Sequence, residues 1–107
     1  MGVREAQLTR LAQRVDEFLR EQVRVAAIYL FGSQVTGRTH EYSDIDLAVF
    51  SPDADDLGLL GRMKLGAGLQ EACGDDIEPH FFPEWALHDP PEGSFAEHVI
   101  TTGKRIV

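Results

Sequence analysis

A chain of 107 residues that is 43% apolar and 26% charged has the composition of an ordinary globular protein, which excludes disorder, collagen-like repeats and coiled coil. Its 18 acidic residues against 10 basic ones give a formal charge of −8, and that balance argues against stable, non-specific nucleic acid binding, which needs clustered Lys and Arg. An acidic surface suits recruitment of divalent cations or docking on a basic partner, besides simple solubility.

At this length one domain, residues 1–107, is expected. Cys73 is the sole cysteine, so neither an internal disulfide nor a cysteine-based zinc cluster can form. It reads as a small apolar residue near a helix end. The first twenty residues carry charges throughout, and no apolar run is long enough to span a bilayer. A cytoplasmic location with no membrane partner is therefore expected.

From about Glu5 to Arg24, Leu8, Leu11, Ala12, Val15, Phe18, Leu19 and Val23 recur at spacings of three and four, which predicts an amphipathic helix. Val25 to Phe31, rich in β-branched and aromatic residues and followed by Gly32, predicts a buried strand. Gly32 to Ser43 has no period and should form a turn with a loop or short helix. Asp44 to Ser51 is a second strand stopped by Pro52. The connection between the two is too short for a parallel crossover, so they should pair as antiparallel neighbours.

Pro52 to Asp56 reads as an acidic turn able to cap a following helix, in which Leu57, Leu60, Met63, Leu65, Leu69 and Ala72 supply the apolar face. Its four glycines each cost about 1 kcal/mol relative to Ala, so close packing on the sheet is required. Gly74 is the expected stop. The next run, Asp75 to Phe82, predicts a third strand with Asp76, Glu78, His80 and Phe82 on one face and Ile77, Pro79 and Phe81 on the other. Pro79 favours an edge position. A proline-rich loop follows, with Trp85 as a cap over the core, then a short helix ending at Gly103 and a tail or short strand. The fold class is thus α/β (α+β): a small mixed or antiparallel sheet of three to four strands flanked by helices.

Asp44 and Asp46 stand at i and i+2, so on a strand both leave the same face, with Cα atoms roughly 6 to 7 Å apart. Like charges held that close repel unless a cation lies between them. Such a pair suits Mg2+ or Mn2+, hard ions that share their shell with substrate phosphates; a bare Asp-x-Asp is also what a merely solvated strand face presents. Upstream, Gly32 at a strand end lets the backbone approach a ligand, and amides opening a helix beside the Ser33 hydroxyl can bind phosphate.

The conjunction Gly32-Ser33, ten residues, Asp44-Ile45-Asp46 resembles the signature of the DNA polymerase beta-like nucleotidyltransferase superfamily, and the short chain is similar to its minimal nucleotidyltransferase (MNT) branch. The resemblance covers nearly the whole chain. It implies that Gly32 and Ser33 bind the nucleotide triphosphate. Asp44 and Asp46 would be catalytic and would hold two Mg2+ ions, or Mn2+, with ATP as substrate.

A third catalytic and metal-binding carboxylate should come from a neighbouring strand, and Glu78 is the expected one, with Asp76 as the alternative. The family commonly uses Asp there, whereas Glu78 is longer and precedes Pro79. Gln34 stands where relatives often carry Arg, and Arg38 is the substitute phosphate contact or else a solvated arginine. His80 is in phase with Glu78 and is either an aid to the metal site or a partly buried strand histidine.

The resemblance implies transfer of a nucleoside monophosphate, AMP from ATP, to a hydroxyl with release of pyrophosphate. No acceptor-binding domain is evident, so the acceptor is expected on another protein, a HEPN-domain toxin that the chain would neutralise as an antitoxin. The alternative is a nucleotide- and metal-binding module that regulates a partner by binding, with little or no catalysis.

Overall fold

The computed structural model describes residues 2–31, 45–74 and 76–107. In chain order the elements are α1 (Gly2–Arg20), β1 (Ala27–Phe31), β2 (Ile45–Ser51), α2 (Ala54–Cys73), β3 (Ile77–Pro83), α3 (Trp85–His88), α4 (Phe95–Thr102) and β4 (Lys104–Arg105). The sheet is mixed and four-stranded, in the order β3-β2-β1-β4, with helices on both faces. β1 and β2 are antiparallel neighbours, as the short connection requires. β2 and β3 run parallel, with α2 as the crossover between them.

Alternation along the strands divides the apolar residues between two cores. Ile28, Leu30, Leu47, Val49 and Ile77 meet Val15 and Leu19 of α1 and Leu65 and Leu69 of α2. On the opposite face Ala27, Tyr29, Phe31, Ala48 and Phe50 meet Ala86 of α3 and Ala96 and Val99 of α4. The face that carries Asp46 is therefore not simply solvated, as an Asp-x-Asp strand suggests. It is itself a core for most of its length, and the acidic residue stands at one end of it.

β3 is an edge strand, as Pro79 requires, and Pro79 registers with Leu47. The glycines of α2 allow the close packing their cost demanded. A Cβ on Gly66 would lie 3.2 Å from Pro79 Cγ, and one on Gly68 would lie 2.9 Å from Phe18 Cζ. Gly58, with φ of 67°, interrupts the helix near its start, and the Arg62 guanidinium donates to the Ala54 carbonyl across the break.

Several expectations are corrected. The helical pattern to Arg24 overruns α1, which ends at Arg20; Val23 still packs in the core from a closing turn, its amide donating to Leu19 O at 2.8 Å. Periodicity does not separate a final turn from a helix. Val25 precedes β1 rather than opening it.

Leu60 and Met63 are 64% and 62% exposed. Met63 and Leu65 are two residues apart, which on a helix turns them to opposite sides. The proline-rich segment contains the short helix α3, and Trp85, expected as a core cap, is 57% exposed.

Asp53 occupies the cap position of α2 but makes no side-chain cap. Its carboxylate instead accepts from the Arg24 amide at 2.8 Å and from the guanidinium at 2.7 Å. The hydrogen bond from Arg24 holds the Asp53 carboxyl below the usual carboxylate range. The Cys73 thiol is pushed up by burial, which keeps it protonated and makes it a poor nucleophile.

Candidate active site

Register places the acidic residues. Asp46 of β2 pairs with Phe31 of β1 on one side and with Glu78 of β3 on the other, so the three side chains share a sheet face. Ile45 and Leu47 are drawn into the opposite core, and that burial fixes which way Asp46 points. Two residues further along β3, His80 leaves the same face. One oxygen each from Asp46 and Glu78 and one ring nitrogen of His80 lie within 4.8 Å of one another.

The histidine is held by packing. Its ring lies 5.3 Å from Phe31 and 5.6 Å, edge-on, from Phe95, the first residue of α4. Among the described residues the buried Nε2 has no hydrogen-bond partner, and Asp46 Oδ1 stands 3.7 Å away, beyond hydrogen-bond reach. Glu78 is exposed, and the Asp46 side chain keeps 26% of its surface in contact with solvent. The His80 side chain is itself 30% exposed, so the group is open to solvent except at the buried Nε2.

Of the residues singled out in the sequence, Asp46 and Glu78 are brought together. Asp76, the alternative third acid, is exposed in the turn before β3, where its carbonyl accepts from the Ile45 amide at 2.7 Å; its carboxylate is not among the converging groups. Gly32, Ser33, Gln34, Arg38 and Asp44 lie outside the described residues. Phe95 was not singled out. The only signal for it was the small helix that the structure folds over this face.

Two carboxylates and an imidazole whose buried nitrogen has no partner among the described residues form a donor set that fits a divalent cation. A separate cleft of about 540 Å3, lined by Thr9, Gln13 and Asp16 of α1 and by residues 104–107, contains none of the triad.

Residues 13–107 match the family model described as polymerase beta, nucleotidyltransferase. The chain belongs to this nucleotidyltransferase family. It is 32% identical over 96 residues to the protein adenylyltransferase MntA of Shewanella oneidensis, strain MR-1, an alignment that covers 87% of this chain and 62% of the relative. The nucleotidyltransferase chain thus spans less than two thirds of that protein's length.

A crystal structure of a toxin-antitoxin with AMP-PNP superposes with a TM-score of 0.63 at 29% identity, over 90% of this chain and 72% of the other. A structure of tri-AMPylated Shewanella oneidensis HEPN toxin in complex with MNT antitoxin gives a TM-score of 0.57 at 26% identity, over 91% and 69% of the two chains. No helix among the described residues is long and apolar enough to cross a membrane.

Proposed function

We propose that this nucleotidyltransferase transfers AMP from ATP to a hydroxyl on a HEPN-domain toxin and so acts as its antitoxin, residues 1–107 forming one catalytic unit in the cytoplasm. The observation that carries the reading is the pairing of Asp46 with Glu78 on adjacent strands of a nucleotidyltransferase fold. The MntA relative is named for protein adenylylation, and one structural neighbour contains an AMPylated HEPN toxin.

Asp44, Asp46 and Glu78 would hold Mg2+ or Mn2+, and the bound ions would polarise the acceptor hydroxyl and neutralise the triphosphate. Gly32 and Ser33 are assigned to the triphosphate, through backbone amides and the serine hydroxyl. Burial of Ile45 and Leu47 and the pairing of β2 with β3 fix the backbone that carries Asp46 and Glu78, so little backbone reorganisation is needed when substrate arrives. The hydroxyl oxygen bonds to the α-phosphorus, and the bond from that phosphorus to the β-phosphate oxygen breaks. Pyrophosphate leaves with the electron pair, and the hydroxyl proton passes to solvent. The acidic chain suits docking on a basic partner.

A second reading, a nucleotide- and metal-binding module that regulates its partner by contact alone, is favoured by one feature: the third acid is the long Glu78 followed by Pro79. ATP labelled on the α-phosphorus separates the two when added with Mg2+ to the co-purified complex. Labelling of the partner that is lost in Asp44→Asn and in Glu78→Gln, with the complex intact, is the expected result. Neutralisation of the toxin that survives both substitutions would sink the catalytic reading.

A further inference from the structure

We propose that His80 is a direct nitrogen ligand of the catalytic metal, through Nε2, and that the site consequently prefers Mn2+ to Mg2+. This rests on the metal-dependent reading above. Nε2 is buried and has no hydrogen-bond partner among the described residues, an unfavourable condition for a polar atom unless something satisfies it. Asp46 Oδ1 is 3.7 Å away, too far for a hydrogen bond.

Two donor atoms on one ion, each about 2.0 to 2.2 Å from it, stand roughly 3 Å apart when adjacent and a little over 4 Å apart when opposite. The 3.7 Å separation, and the 4.8 Å limit on the whole group, are those of ligands that close slightly on an ion. The ring does not have to be recruited from solvent. Phe31 and Phe95 pack against it at 5.3 and 5.6 Å and hold Nε2 toward the carboxylates. Mg2+ takes oxygen ligands almost exclusively, whereas Mn2+ accepts an imidazole nitrogen beside carboxylates and water.

Pulsed EPR of Mn2+ added to the full chain without nucleotide reads ligation directly, because a coordinated imidazole modulates the echo at nitrogen frequencies. His80→Phe keeps an aromatic ring between Phe31 and Phe95 but removes both nitrogens, and His80→Gln is a second variant if the first folds poorly. The wild-type protein should show nitrogen modulation. The variants should lose it while still binding Mn2+ through the carboxylates, with the preference for Mn2+ over Mg2+ reduced about tenfold or more.

Bound Mn2+ without nitrogen modulation in the wild type, or modulation that persists in both variants, overturns the assignment of His80 and leaves the metal-dependent reading standing. Mn2+ binding that Asp46→Asn does not weaken overturns both.

Discussion

Glu78→Gln should make the metal-free protein more stable while abolishing its response to metal. Oxygens of Asp46 and Glu78 lie no more than 4.8 Å apart, and no Lys or Arg pairs with either carboxylate among the described residues. Two full charges at that separation repel by about 0.9 kcal/mol in a medium like water and by about 3.5 kcal/mol at an effective dielectric constant of about 20. Glu78 is exposed, so the lower figure governs.

Removing one charge at nearly constant shape should therefore raise unfolding stability by about 1 kcal/mol, a rise of roughly 4 °C in Tm for a chain of this size. Urea unfolding followed by circular dichroism, with chelator and then with Mn2+ or Mg2+, measures both effects. Metal should stabilise the wild type and leave the variant unchanged. A metal-free variant less stable than wild type would mean that Glu78 is satisfied by a structural partner. Equal stabilisation of both by metal would place the ion elsewhere.

Leu69→Ala, at a fully buried position of α2, should cost about 2 to 5 kcal/mol in urea unfolding, whereas Leu60→Ala and Met63→Ala on the exposed side should stay within about 0.5 kcal/mol. A large loss at Leu60 would mean that α2 is rotated from its described face. A Cβ on Gly103 would lie 2.5 Å from Val99 O and 2.8 Å from Leu30 O. Both are backbone atoms with no free end to move, so Gly103→Ala should lower stability by about 1 to 3 kcal/mol, and a wild-type melting curve would contradict this close approach.

Because Arg24 depresses the folded Asp53 carboxyl, the pair stabilises at pH above the ordinary carboxylate range, and the effect is lost as pH falls through the folded value. Asp53→Asn should be less stable than wild type at neutral pH and indistinguishable from it in acid. A difference that persists at low pH would locate the effect in packing rather than charge.

By itself the sequence determined the strands that carry Asp46 and Glu78 and the order in which they come. Alternation through Ile45 to Phe50 sets which side chains leave each face, because the strand period admits only two choices. Ile77, Glu78 and Pro79 likewise marked an edge strand with an acid turned from the main core, and the short connection from β1 to β2 forced antiparallel pairing. Helical phase was legible for Leu65 and Leu69, four residues apart, but not for Leu60 and Met63, which continue a three-residue step from Leu57 yet lie exposed beyond the break at Gly58.

What only the tertiary structure decided is the lateral register that sets Glu78, rather than Asp76, opposite Asp46, and the folding of Phe95 over His80. These depend on contacts between residues distant in sequence, about which local periodicity carries no information. The same applies to the second core on the acidic face. Ala48 and Phe50 follow Asp46 at two-residue spacing and look like the apolar part of a solvated face until α3 and α4 are packed against them. The imidazole nitrogen left buried beside two carboxylates, without a hydrogen-bond partner among the described residues, is the product of that packing, since Phe31 and Phe95 lie against the ring.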